Sequence, residues 1–508
     1  MKVAVFNWFL HTMGGGERMS CMIAQVLAED GHEVDLIAYR EVDRDVLADY
    51  LGLNLSKVHL RILPNRGEDA LAKISEEYDL FVNGSYMSRS KPRAKRNVYL
   101  CYFPTPFDHD MEPWKRLAMR AAEPFVAGVT PPFSLGDGWY DREGGRRVAW
   151  TWTNGDAGLR LRPGRDRVIE FSLGRPSAPG TTHLTVEDDE GHEIGRFMAA
   201  PGAFAPYRLS VGSSDHVTEL RFRSDSFQPS DDARTLGVAF MDLRTSGRPS
   251  VREKLLMRHP GFARSPRDLS FLRSYELILG CSEFTTIWIK RYWGIDAGVL
   301  YPPIRVDLLP PRPKQKRIVV VGRFFSPKYG HCKRQLELVQ AFGHMLERGG
   351  LEGWRLDVVG GCEPIQEDYL HEVMKAAEGL PVGIHPNAPR SELEEMLETA
   401  SIFWTATGYG SDEDRKPWAM EHFGMTTVEA MAAGCVPVVI DKAGQREIVR
   451  DDVDGFRWTT LPQLESRTRQ VMTDEALRTR LGAAAVARAQ IFSEDAFAAR
   501  WHALMDER

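Results

Sequence analysis

At 508 residues the chain is too long for one hydrophobic core, and at roughly 150 residues per domain it divides into about three. Apolar residues make up 43% and charged residues 27%, which excludes a disordered or fibrous chain. The 65 Lys and Arg against 71 Asp and Glu leave a net charge of -6, too small for a dedicated nucleic-acid binder. Cys21, Cys101, Cys281, Cys332, Cys362 and Cys435 form no Cys-x-x-Cys, which argues against a zinc knuckle, a redox pair or a disulfide framework. His11 and Gly14 to Gly16 interrupt the first apolar stretch before a signal peptide could form, and no run reaches the roughly 20 apolar residues of a membrane span. The expected location is cytoplasmic.

The chain opens with an apolar run, Val3 to Trp8, then Gly14-Gly15-Gly16-Glu17, then a helical pattern through Met22, Ile23, Val26 and Leu27. Val34 to Ala38, Val58 to Leu63, Leu80 to Asn83 and Val98 to Phe103 read as further strands separated by helical crossovers, so an open parallel sheet is expected. From about Gly128 to Arg248 the pattern changes to alternation, as in Leu159-Arg160-Leu161-Arg162 and Leu220-Arg221-Phe222-Arg223, which predicts an antiparallel β-sandwich. Helical patterning resumes at Val251 and a strand at Tyr275 to Gly280. After Pro302-Pro303 the first grammar returns, with strands at Ile318 to Gly322, Leu356 to Gly360, Ile402 to Ala406 and Val436 to Ile440 and a helix over Lys333 to Arg348. The expected domains are 1–128 with 249–308, a sandwich inserted at 129–248, a second α/β domain at 309–490, and a terminal helix over 491–508 that packs back on the first domain.

The most informative stretch runs from Glu421-His422-Phe423-Gly424-Met425-Thr426-Thr427-Val428-Glu429 to Pro437. Gly424 permits a tight turn, and the helix after it offers unpaired N–H groups and a positive dipole end to an anion such as phosphate. Glu421 before the turn and Glu429 within the helix can flank that anion and accept bonds from sugar hydroxyls.

This string resembles the E-x7-E signature of family 4 retaining glycosyltransferases, and its Glu-His-Phe-Gly wording is especially similar to the mannosyltransferases that elongate lipid-linked oligosaccharides. The resemblance extends to Ser282-Glu283-Phe284, Tyr301-Pro302-Pro303, Val321-Gly322-Arg323 with Lys333, and Ala443-Gly444-Gln445-Arg446-Glu447-Ile448-Val449. It implies a GT-B fold, two Rossmann-like α/β domains facing a cleft, here with the sandwich inserted. It also implies metal-independent, cofactor-free transfer of a sugar, GDP-mannose being the first expectation, from a nucleoside diphosphate to a glycan or lipid-linked acceptor. Carried over by position, Arg323 and Lys333 hold the diphosphate, Glu421 the sugar and Glu429 the ribose. Phe423, Gly424, Met425 and Thr426 line the donor site, and Asn387 lies near the base. Gly14, Gly15, Gly16 and Glu17 face the cleft from the acceptor domain. Where the similar mannosyltransferases carry His-Tyr-Pro-Thr, this chain reads Tyr102-Phe103-Pro104-Thr105, and His109 is the candidate to substitute. The alternative class is a non-catalytic glycan-binding or scaffold protein on the same fold.

Asp108-His109-Asp110 and Asp451-Asp452-Val453-Asp454 look like the Asp-x-Asp metal motif of the other glycosyltransferase fold but lack its context, and read as surface carboxylates. Arg89, Lys91, Arg93, Lys95 and Arg96, followed by Trp114-Lys115-Arg116-Leu117, suggest a basic face suited to an anionic acceptor or peripheral contact with the inner face of a membrane. Trp139, Tyr140, Trp150 and Trp152 in the sandwich read either as sugar-stacking residues or as core.

Overall fold

The computed structural model describes residues 1–63, 67–106, 109, 111–126, 132–144, 149–176, 180–228, 235–245, 250–258, 268–306, 312–329 and 331–506. The chain forms two compact units. One contains Met1–Ile62, Ser75–Thr105 and Phe271–Arg508; the other contains Leu63–Ile74 and Pro106–Ser270, a wider span than 129–248.

The first unit holds two parallel sheets. Seven strands lie side by side in the order Gly298–Val299, Leu277–Gly280, Arg96–Cys101, Leu80–Asn83, Lys2–Phe6, Glu33–Ala38 and Val58–Ile62. A strand covered on both faces is apolar or internally hydrogen-bonded, as in Leu80–Asn83, buried throughout, where Asn83 donates to Ser88 and Tyr275. The helix Gly15–Glu29 buries Met19, Met22, Ile23 and Val26 against Val3, Val5, Val34 and Leu36. Phe497, Trp501 and Leu504 of the last helix, Glu494–Asp506, join this same core.

The second sheet has six parallel strands in the order Val382–Pro386, Arg355–Gly360, Gln315–Val321, Ala400–Thr405, Val436–Ile440 and Phe456–Trp458. In both sheets the first strand in sequence lies between the second and the fourth, so the order in which strands are added reverses there, the place where open parallel sheets bind ligands beyond the strand ends. The two edge strands, Val382–Pro386 and Phe456–Trp458, were not anticipated. One is partly exposed and the other has three residues, so neither carries the long apolar run of a central strand.

The second unit contains two antiparallel five-stranded sheets. Leu159, Leu161, Leu220 and Phe222 of one sheet meet Ile169, Phe171, Leu173 and Phe240 of the other, so alternation along each strand separates a shared core from solvent. Trp139 packs on that core and donates its indole N–H to Gly158 O at 2.6 Å. Trp152 is 2% exposed in a neighbouring cluster with Leu236 and Ala239, against which Tyr140 and Trp150 also pack. Packing therefore takes up these aromatic rings, in line with the core alternative of the two readings. The helices Pro113–Val126 and Val251–Arg258 also belong to this unit.

Candidate active site

The strand Gln315–Val321 ends at the switch point of the second sheet, and Gly322 turns the chain there. A Cβ on Gly322 would come within 2.6 Å of Lys333 Cγ, so the missing side chain lets the lysine stem lie on the backbone. The helix Gln335–Glu347 starts two residues after Lys333, the residue at which its sequence pattern places the start, and Lys333 reaches Glu421 Oε2 at 2.5 Å. Thr407, just beyond the neighbouring strand, lies 3.4 Å from the same oxygen. Burial pushes the Glu421 carboxyl up, but the Lys333 ammonium outweighs it and holds the group down at about 2, so it stays ionised.

Two histidines that the sequence reading passed over border this pair. His331 Nε2 lies 3.4 Å from Lys333 Nζ, and burial, then the Lys333 charge, lower its pKa to about 4. His422 is lowered to about 3 by burial and then by His331. Both rings are neutral at neutral pH. His422 stacks on Phe103 with ring centroids 4.1 Å apart, so the first half of the unit, through the segment that departs from the family wording, packs directly beside the Lys333–Glu421 pair. The wording Glu-His-Phe-Gly contained His422, but its partner Phe103 is distant in sequence.

Gly424 adopts φ 121°, a conformation open to glycine, and starts the helix Met425–Ala432 with no side-chain cap. A Cβ there would meet Gln445 Nε2 at 2.4 Å. Gln445 is 1% exposed and accepts a bond from Thr427 Oγ1 at 3.0 Å, fixing the first turn from behind. Phe423 is buried against Tyr301 and Phe492, while Met425 and Thr426 are partly exposed at the helix start. Glu429, one turn on, pairs with Arg390 at 3.2 Å, a partner that no motif marks.

Arg323 is exposed at the strand end, and its backbone carbonyl accepts from Gln335 Nε2 at 3.0 Å. Its charge contributes to lowering His331, so the guanidinium belongs to the same charged cluster. Asn387, at φ 55°, follows the edge strand and binds the loop of Cys362 through its side chain, with Cys362 N donating to Oδ1 at 2.8 Å. A Cβ on Gly361 would contact both Arg323 and Asn387, which flank that glycine.

In the first half, Gly14 caps the helix Gly15–Glu29 and donates its N–H to Glu17 Oε2 at 2.8 Å. Glu17 is thus a buried cap. Gly15 faces Met425, whose Sδ a Cβ would approach to 2.5 Å, and Gly16 faces the ring of Tyr102. His109 belongs to the second unit, with Nδ1 3.0 Å from Pro106 O. Asp108 and Asp110 lie outside the described residues. Asp451 accepts from Arg457 N and Asp454 from Arg450 N, so these carboxylates organise their own turn. Among the described residues, no three His, Cys, Asp or Glu side chains gather as metal ligands. Arg93 and Lys95 of the basic run pair with Glu76 and Asp79.

Residues 309–488 match the family described as Glycosyl transferases group 1. A crystal structure of Anabaena HepE in complex with UDP is 11% identical, with a TM-score of 0.55 and coverage of 100% of both chains. The fold is GT-B. Over 203 residues the chain is 27% identical to the GDP-Man:Man(3)GlcNAc(2)-PP-Dol alpha-1,2-mannosyltransferase of Dictyostelium discoideum, covering 37% of each chain. The enzyme of the same name from Caenorhabditis elegans is 27% identical over 240 residues, 43% of this chain and 47% of the relative. These matches span less than half the length of the curated relatives. The charged cluster around Glu421, with Glu429, lies inside the glycosyl transferases group 1 domain.

Proposed function

We propose that the protein is a retaining glycosyltransferase of family 4 that moves a sugar from a nucleoside diphosphate, GDP-mannose first, to a glycan or lipid-linked acceptor in the cytoplasm. One observation carries the reading: the partly buried Lys333–Glu421 pair stands at the switch point of a parallel sheet, beside a helix start that Gly424 leaves uncapped. Departure of a nucleoside diphosphate builds negative charge on phosphate oxygens, and fixed positive groups in a low-dielectric site stabilise that charge. Lys333, Arg323 and the amides of Gly424 to Thr426 supply it in this proposal without a metal. An ammonium has three protons, so Lys333 can bridge Glu421 and a phosphate oxygen together. Glu421, kept ionised by Lys333, accepts from the hydroxyls of the reacting sugar; Glu429, steadied by Arg390, accepts from the ribose. The E-x7-E spacing thus becomes two acids on either side of one anion site. Asn387 is assigned to the base. The second half binds the donor and the first half the acceptor.

A thermal-shift panel of GDP, GDP-mannose, UDP, UDP-glucose and ADP tests the reading. A true donor at about 100 times its Kd stabilises by roughly 2.7 kcal/mol. A guanine preference supports GDP-mannose, and a uracil preference replaces the donor while keeping the reaction. No shift with any nucleotide, in protein that binds glycans, would replace transfer by glycan binding.

A further inference from the structure

Among the described residues no helix is long and apolar enough to cross a membrane, yet one helix surface carries large apolar side chains in water. On Pro113–Val126, Trp114 is 66% exposed, Leu117 70% and Phe125 46%. Ala118 and Ala121, also exposed, lie between them. Residues 114, 117, 118, 121 and 125 fall on one face of a helix with 3.6 residues per turn. Val251, 73% exposed, opens the second helix of the same unit, and the guanidinium of Arg252 beside it sits 4.8 Å over the Phe125 ring, joining the two helices into one surface.

We infer that this surface docks on an anionic lipid bilayer, with Trp114, Leu117 and Phe125 entering the headgroup boundary and basic side chains meeting the phosphates. The charge around the apolar stripe supports that occupant. Lys115 Nζ lies 5.4 Å from the Trp114 ring, and Arg252 and Lys254 are exposed at the other end. Glu112 lies near Lys115 and the Trp114 indole, 3.3 Å from Lys115 Nζ, while Glu253 is withdrawn into pairing with Arg162. Among the described side chains, three cations thus border the stripe against one exposed carboxylate. A protein partner would bury such a stripe in an interface core, where Lys is depleted; a headgroup layer takes aromatic rings and basic rims together. The inner side of the helix is held by Arg116, whose guanidinium donates to His109 O and Met111 O, so the apolar side faces outward. The inference is independent of the sugar-transfer reading, since it uses none of those residues.

The test is co-sedimentation of the full chain with vesicles of phosphatidylglycerol in phosphatidylcholine, against pure phosphatidylcholine, at low and high salt. Each basic group near an anionic surface is worth about fivefold in affinity, so wild type should favour the anionic vesicles and lose binding as salt rises. Trp114→Glu with Leu117→Glu should weaken binding at least tenfold, and Arg252→Glu with Lys254→Glu by a similar factor. All four side chains are exposed, so thermal unfolding should stay within a few degrees of wild type. Absence of wild-type binding to anionic vesicles would overturn the inference. So would binding that both double variants retain, or a lipid-free dimer that the Trp114→Glu with Leu117→Glu variant dissociates, which would assign the stripe to a second copy of the chain.

Discussion

Two helices of the α/β unit begin on glycine after a parallel strand, and they treat their free N–H groups in opposite ways. At Gly15–Glu29 the carboxylate of Glu17 turns back and accepts from Gly14 N, so the negative charge that favours a helix N-terminus is supplied from within. At Met425–Ala432 no side chain caps the start, and the nearby acids are tied elsewhere, Glu421 to Lys333 and Glu429 to Arg390. A carboxylate near a helix start either occupies it or, held aside by a cation, frames it for another anion. A third start follows the first pattern with a remote partner: Glu447 Oε1 and Oε2 accept from Phe284 N and Glu283 N, each at 2.7 Å, at the head of Glu283–Trp293.

The largest expected effects come from removing the charges around the open start. Lys333→Ala and Arg323→Ala should each lower turnover about a hundredfold to a thousandfold, the cost of deleting one preorganised charge from such a site. Chelation by EDTA should leave the wild-type rate unchanged. The measurement is transfer or slow donor hydrolysis, and near-normal rates in both variants would remove the fixed-charge account.

Gly424→Ala sharpens the comparison by altering the open start alone. A left-handed non-glycine residue costs about 1–3 kcal/mol, and here the added Cβ also presses on the buried Gln445 amide. Lower thermal stability and weakened nucleotide affinity should appear together. A variant that binds nucleotide as wild type does would show that this turn is not the anion site.

Glu447 makes the remote cap sensitive to pH. Burial raises its carboxyl to about 7, with Glu283 adding to the rise, while the amides of Phe284 and Glu283 oppose it; Tyr301 and Arg488 are the other titratable or charged neighbours. The folded state therefore keeps a proton that the unfolded chain releases near the ordinary value of 4.5. That stabilisation is whole below about 4.5 and is lost as pH rises through about 7. Denaturant titrations at pH 5 and pH 8 should show Glu447→Gln gaining on wild type by roughly 1–3 kcal/mol. An equal difference at both pH values would contradict this.

The smallest effect belongs to the closed start. Glu17→Ala should cost about 0.5–2 kcal/mol of stability, as loss of a cap does, and leave nucleotide affinity intact. A selective loss of nucleotide affinity would make Glu17 a site residue after all.

Much of this architecture is local and therefore legible in the chain. The plain case is Val436–Ile440, which announces itself because a strand buried on both faces is apolar, and Gly424 stands where the backbone adopts φ 121°. The string from Glu421 to Glu429 likewise sets two acids around one helix start by spacing alone. What required the tertiary structure was every partner from elsewhere: Lys333 for Glu421, Arg390 for Glu429, Phe103 for His422, and the amides of Glu283 and Phe284 for Glu447. Alternation could put Trp150 and Trp152 on one face of a strand, but it could not say that the face packs against Leu236 and Ala239. Periodicity records which side chains share a side; only the packed fold decides what that side meets, because burial and charge pairing are properties of neighbours that the chain brings together after it folds.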